Sequence, residues 1–287
     1  MKISTLTWPL EMRLGHLEAV KLIAEAGFEA VDYTMLKPDA PIFGKDRDKI
    51  VSELKAVADS YGVAFNQAHS LNPSQRYGKE FEEENRLRKR CVLDSVEIAA
   101  ELGASRIVVH PIAAPSLSAA EQKEINLDFY TEVLERAASV GIIVAIENMW
   151  GRHRDRSDMI VANVCSTAEE MCDYVDSLDS PYATACLDLG HAGLVGQRAD
   201  DMIYKLGGRL TALHIHDNDF YEDSHTFPFF GKMNFSKIFE ALRGVNYSGD
   251  VTFEPSIIFE RIPTELFPAS LRYLKEIGEY IRRQLTK

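Results

Sequence analysis

Cysteine is scarce. The chain carries four, Cys91, Cys165, Cys172 and Cys186, and no two stand at CxxC spacing. That excludes a zinc–thiolate site of the usual spacing and argues against a disulfide framework in a chain of this size, so buried free thiols are expected. No apolar run is long enough to span a bilayer, which argues against a membrane protein. Met1–Trp8 reads as a strand and lacks the apolar core and small-residue cleavage site of a signal peptide, so a cytoplasmic protein is expected. Positive charge is also in deficit: 32 Lys and Arg against 44 Asp and Glu leave a net charge of −12. Such a balance argues against a nucleic-acid partner and fits a small-molecule enzyme. Neither GxGxxG nor GxxxxGK[ST] follows the first strand, so dinucleotide-binding and P-loop folds have no support. Domain linkers and low-complexity segments are absent.

What the chain has is alternation. Short β-rich runs fall near Lys2–Trp8, Ala30–Tyr33, Ala64–His69, Arg106–His110, Ile142–Glu147, Thr184–Asp188, Ala212–His216 and Asp250–Glu254. Several are continuous apolar runs, such as Ile107-Val108-Val109, which suits parallel strands buried on both faces. Helical spacing fills the gaps: His16–Ala26, Asp48–Tyr61, Glu80–Leu102, Ala119–Val140, Thr167–Leu178, Ala199–Lys205, Phe235–Leu242 and Pro263–Leu285. Most end at glycine. Thr167 with Glu170 three residues on reads as a capping box. Eight βα units in 287 residues predict an α/β fold, a single-domain (β/α)₈ TIM barrel over 1–287. The long irregular stretches, Ser70–Lys79, Trp150–Ser166 and Asn218–Asn234, each follow a strand and belong on the active-site face.

The residues that end the strands carry the chemistry. They are His69, His110, Glu147, Asp188, the pair His214 and His216, and Glu254. In a barrel these ends meet at one mouth. Several carboxylates buried together are unfavourable unless a cation offsets them, and Glu, Asp and His together suit a divalent metal, Mn²⁺, Mg²⁺, Co²⁺ or Zn²⁺. Glu147, Asp188, His216 and Glu254 form the predicted ligand set. His214 and His216 share a face through the two-residue strand period. His216, nearer the mouth, is expected to coordinate, with His214 one layer deeper as core.

Several segments resemble the xylose isomerase-like TIM-barrel superfamily, in the branch of AP endonuclease family 2 and the sugar phosphate isomerases/epimerases. They are Ala26-Gly27-Phe28-Glu29-Ala30-Val31-Asp32, Ala145-Ile146-Glu147-Asn148, Leu187-Asp188-Leu189-Gly190-His191, His214-Ile215-His216-Asp217-Asn218-Asp219 and Thr252-Phe253-Glu254. The resemblance implies a metal-dependent ketose or sugar phosphate isomerase or epimerase. In it Glu147 and Glu254 move the proton beside a metal-polarised carbonyl, and His191 contacts substrate oxygens or a second metal. An inosose-type dehydratase would use the same proton abstraction. The rival within the superfamily is an endonuclease IV-like multi-zinc phosphodiesterase. Its ligand pattern can be matched by adding His69, His110, His191, Asp223 and His225 to the four ligands. A non-catalytic sugar-binding barrel is a third class, opposed by the complete ligand set. For a small-molecule sugar substrate, Trp8, Trp150 and Phe229 offer aromatic walls, and Arg152, in the Arg152–Arg156 run, an anion contact. A homo-oligomer is compatible with the resemblance.

Overall fold

The structure, a computed structural model, describes residues 1–73, 79–114, 116–153 and 155–287. Eight parallel strands form the barrel: β1 (Ile3–Leu6), β2 (Ala30–Thr34), β3 (Ala64–His69), β4 (Arg106–Val109), β5 (Ile143–Glu147), β8 (Ala183–Asp188), β9 (Leu210–His214) and β10 (Val251–Phe253). Their order is β10-β1-β2-β3-β4-β5-β8-β9. A bridge between Ile215 and Phe253 closes the ring. There the Ile215 N–H donates to the Thr252 carbonyl at 2.9 Å, and the Glu254 N–H to the Ile215 carbonyl at 3.1 Å. The TIM barrel expected from the sequence is the fold observed.

Two apolar cores hold it. The large one lies between sheet and helices, where outward-facing residues such as Ile107, Val109, Val144, Ile146, Leu187 and Leu213 meet the helices. The small one lies inside the ring and consists of Val108, Ala145, Cys186 and Ala212. Two residues further along each of these strands stand His110, Glu147, Asp188 and His214. The two-residue strand period therefore plugs the barrel with small apolar side chains and stacks ionisable ones directly above.

Four expectations need correction. Trp150–Ser166 is not irregular: β6 (Trp150–His153) and β7 (Arg156–Ala162) pair antiparallel as a hairpin after β5. A six-residue helix, Leu189–Leu194, follows β8 directly, with the Asp188 side chain capping it by accepting from the His191 N–H. The segment after β10 holds a helix of its own, Ser256–Arg261, and the last helix starts at Phe267 rather than Pro263. Thr167 does cap its helix by accepting from the Glu170 N–H, but the reciprocal box is formed by Ser118 and Glu121. All four cysteines are free thiols, three buried and Cys172 partly exposed. Among the described residues, no helix is long and apolar enough to cross a membrane.

Candidate active site

The barrel mouth gathers the predicted residues. Glu147, Asp188, His69, His191, His214, His216 and His225 are buried, and Asp223 and Glu254 are nearly so. Every ion pair that Glu147, Asp188, Asp223 and Glu254 make among the described residues is to a histidine.

Four overlapping ligand groups result, one of which, His69, His214 and Glu254, links two of the others. In the first, Glu147, Asp188, His214 and Glu254 each offer an atom within 4.8 Å of the others. His214 Nδ1 lies 3.0 Å from Glu147 Oε1, which it hydrogen-bonds, and 2.9 Å from Glu254 Oε2, so one imidazole nitrogen stands against both glutamates. Its Nε2 faces downward, 3.1 Å from Gln67 Nε2 and 3.5 Å from Asp32 Oδ2. His214, expected as core, stands with Glu147, Asp188 and Glu254, and His216, expected as the ligand, falls in another group, because the deeper histidine is the one level with the two glutamates. Burial alone would raise both glutamates. The nearby His214 outweighs it, with His110 acting on Glu147 and His225 on Glu254, and both carboxyls are held below their ordinary range. His214 itself is raised well above 6.5: burial lowers it, and Cys186, Glu254, Glu147 and Asp32 together outweigh burial.

In the second group, His69, His110 and Glu147 converge. The two Nε2 atoms stand 2.8 Å apart, and Glu147 Oε2 lies 3.0 Å from that of His110. Burial, helped by His110, pushes His69 down to about 4, so at neutral pH it presents a lone pair.

The third group is His191, His216, Asp223 and His225. The His216 and His225 rings stack at 3.8 Å with planes 7° apart. His216 Nε2 is 2.9 Å from both Asp188 oxygens, which links this group to the first. Gly190 makes that approach possible, since a Cβ there would lie 2.0 Å from His216 Cε1. His225 is raised to about 9, the Asp223 carboxylate outweighing burial, and Asp223 is held far below its usual range by His191 and His225.

Residues that strand ends alone did not reveal complete the frame. Asn148 donates to the Asp188 carbonyl, accepts the Asp188 N–H, and offers its own carbonyl to His191 Nδ1 at 2.9 Å. The buried Asp217 carboxylate accepts four backbone N–H groups, from Asn218, Phe229, Gly231 and Met233. Its main chain pairs with Thr226, which sets His225 against His216. The signals were present: an acid inside an apolar strand at Asp32, and an acid directly after the ligand candidate at Asp217.

The expected substrate-facing residues lie in different places. Trp8 follows β1, its backbone N–H donating to Thr34 Oγ1 at the end of β2. Trp150 and Arg152 stand on the hairpin, the guanidinium 5.2 Å from the indole centre. Arg154, in the middle of the basic run, lies outside the described residues. Phe229 turns outward onto Phe235, Phe239 and Tyr280 and anchors its loop to the outer helices.

These donors suit a divalent cation on their own chemistry. Glu147 Oε2, Glu254 Oε2, Asp223 Oδ1 and one nitrogen each of His69, His110 and His216 are buried without a hydrogen-bond partner. Buried polar atoms are ordinarily paired, and the unpaired carboxylate oxygens of Glu147, Glu254 and Asp223, each beside histidine nitrogens, form groups that can hold a cation.

Comparison with known proteins places the chain. The profile of the xylose isomerase-like TIM barrel family matches residues 20–277, and the chain belongs to that family. Among its relatives is the 3-dehydro-D-guloside 4-epimerase of Escherichia coli K12, 25% identical over 272 residues that cover 90% of this chain and 94% of the relative. An uncharacterized protein of Methanocaldococcus jannaschii is 26% identical over 295 residues, covering 98% and 94%. Among solved structures, a D-tagatose 3-epimerase-like protein aligns with a TM-score of 0.76 at 24% identity, over 100% of this chain and 98% of that one. The D-psicose 3-epimerase of Clostridium cellulolyticum H10, solved with D-tagatose, gives 0.76 at 18% identity over 98% and 99%.

Proposed function

We propose that the protein is a divalent-metal-dependent epimerase or isomerase of ketoses or keto sugars. The observation that carries this reading is the pair Glu147 and Glu254, two buried carboxylates joined through one nitrogen of His214 and set beside Asp188. The epimerases among its relatives supply the substrate class. Glu147, Asp188, His214 and Glu254 would hold the ion, His214 Nδ1 facing both glutamates, with His216 set against Asp188 from the neighbouring group. When bound, such an ion polarises a carbonyl oxygen and makes the adjacent C–H acidic. One glutamate would then take that proton as an ionised base and pass it to solvent, and the other would take up a solvent proton and deliver it to the opposite face. Trp8 and Trp150 wall the sugar, and Arg152 meets an anionic substituent where the substrate has one.

The test is inversion in D₂O. The Mn²⁺-loaded protein is incubated with ketohexoses and 3-keto sugars, and the products are read by NMR. The reading expects inversion beside the carbonyl with deuterium at the inverted carbon. A metal-loaded protein that exchanges no proton on any of them would contradict it.

The His69–His110–Glu147 and His191–Asp223–His225 groups favour a second reading of the metal count, in which up to three ions bind. Histidine-rich groups suit Zn²⁺ or Co²⁺, the carboxylate-rich one Mn²⁺ or Mg²⁺. Cleavage of abasic-site DNA by the zinc-loaded protein would move the function to phosphodiester hydrolysis.

A further inference from the structure

The hairpin that follows β5 reaches across the mouth and touches the third ligand group at one point. The Trp150 indole N–H donates to Asp223 Oδ2 at 3.0 Å. The same oxygen lies 3.0 Å from His225 Nε2 and 3.6 Å from His191 Nε2. The other oxygen, Oδ1, is buried and has no hydrogen-bond partner. Asp223 sits on the loop after β9, not on a barrel strand, so the sheet does not fix its carboxylate.

Trp150, by contrast, is firmly held. Its main chain pairs with Ala162 across the hairpin, and its carbonyl accepts from Asn163 Nδ2 at 3.1 Å. The preceding carbonyl, of Met149, accepts from the Ser166 hydroxyl at 3.0 Å. Arg152 covers the ring face. An indole N–H is a donor only. It cannot ligate a cation, but it can fix the orientation of a carboxylate that does.

We infer that Trp150 is a positioning residue: it holds Asp223 by Oδ2 so that the carboxylate faces an ion shared with His191 and His225. The inference rests on the multi-metal form of the reading above. It assigns Trp150 a task distinct from walling the sugar. Outer-shell partners of this kind typically govern metal affinity by 10–100-fold.

The chain has two tryptophans, so Trp8→Phe leaves Trp150 as the only indole. In that background Zn²⁺ is titrated into the metal-free protein. Bound metal is counted by elemental analysis while tryptophan emission is followed. Emission is expected to change with the equivalent that fills the His191–Asp223–His225 position, and His225→Gln is expected to abolish the change. Trp150→Phe, assayed with Trp8 intact, is expected to weaken that equivalent about 10-fold or more. The remaining metal and the melting temperature of the metal-free protein should stay as in the parent.

Unchanged affinity for every equivalent in Trp150→Phe, with only a raised KM for sugar, would overturn the inference and return Trp150 to the substrate wall. A parent protein that never binds more than one metal would overturn the multi-metal reading and this inference with it. If Trp150→Phe fails to fold, the emission response of the Trp8→Phe protein decides: no change as the His191–Asp223–His225 position fills is the overturning result.

Discussion

The Nε2 atoms of His69 and His110 face each other at 2.8 Å, with Glu147 Oε2 at 3.0 Å from the second. Two imidazole lone pairs at that distance repel unless a proton or a cation lies between them. His69, pushed down to about 4 by burial, is neutral at neutral pH; one ring N–H can fill the gap, and a divalent cation can replace that proton. Ion binding should therefore stabilise the fold. At metal 100-fold above its Kd the gain is about 2.7 kcal/mol, roughly 5–10 °C in melting temperature for a chain of this size. Thermal melts before and after chelation check this. Identical curves for a protein proven to have carried metal would count against it.

Glu147 and Glu254 are both held in the ionised form, so each is ready to accept a proton. Replacing either by glutamine keeps the shape and removes the base. Glu147→Gln and Glu254→Gln should each lower kcat by about 10²–10⁴-fold with an unchanged circular dichroism spectrum. A variant that kept parental turnover would show that the proton moves elsewhere.

His214 and His216 divide the work differently from what strand parity alone suggests. Parity turns both inward, and only the structure shows that His214 touches both glutamates while His216 faces Asp188. His214→Ala leaves two buried carboxylates without their shared partner, at a cost of about 3–5 kcal/mol. Chemical denaturation would show that loss, and the ion held with Glu147, Asp188 and Glu254 should bind far more weakly. A folded His214→Ala protein that keeps that ion at parental affinity would transfer the ligand role from His214 to His216.

The ligand groups should also differ in pH dependence. His69 has already lost its proton at neutral pH, whereas His225 keeps its own up to about 9. Metal competes with that proton, and with one on His191, where burial is outweighed by Asp188, Asp223 and Glu147 and the pKa stands well above 6.5, so affinity at the His225 position should fall at least about tenfold for each pH unit below 9. At the His69 position, that histidine adds no such slope above pH 4. Calorimetric titrations at pH 6, 7 and 8 separate the two. Equal slopes at both positions would mean that Asp223 does not hold a proton on His225.

Much of this was legible in the sequence, for identifiable reasons. Runs such as Ile107-Val108-Val109 are apolar on both faces because the strands are buried on both faces, so barrel strands announced themselves. Parity then carried His110, Glu147 and Asp188 to one layer above Val108, Ala145 and Cys186. The hairpin Trp150–Ala162 did not announce itself. Its strands carry Arg152, His153, Arg156 and Asp158, stand largely clear of the core and show no apolar alternation. The helix Leu189–Leu194 was hidden by Gly190 and Gly193, which weaken helix propensity but admit His216 and Phe220 close to its backbone. The grip of Trp150 on Asp223 spans 73 positions, and no local pattern encodes such a contact.

The most direct test of the account is metal content on protein purified without added metal, with Glu147→Gln/Glu254→Gln measured beside it. The account predicts at least one divalent ion per parent chain, Mn, Co, Mg or Zn, and its loss from the folded double variant. A folded parent protein that carries no divalent ion and takes up none on titration would contradict it.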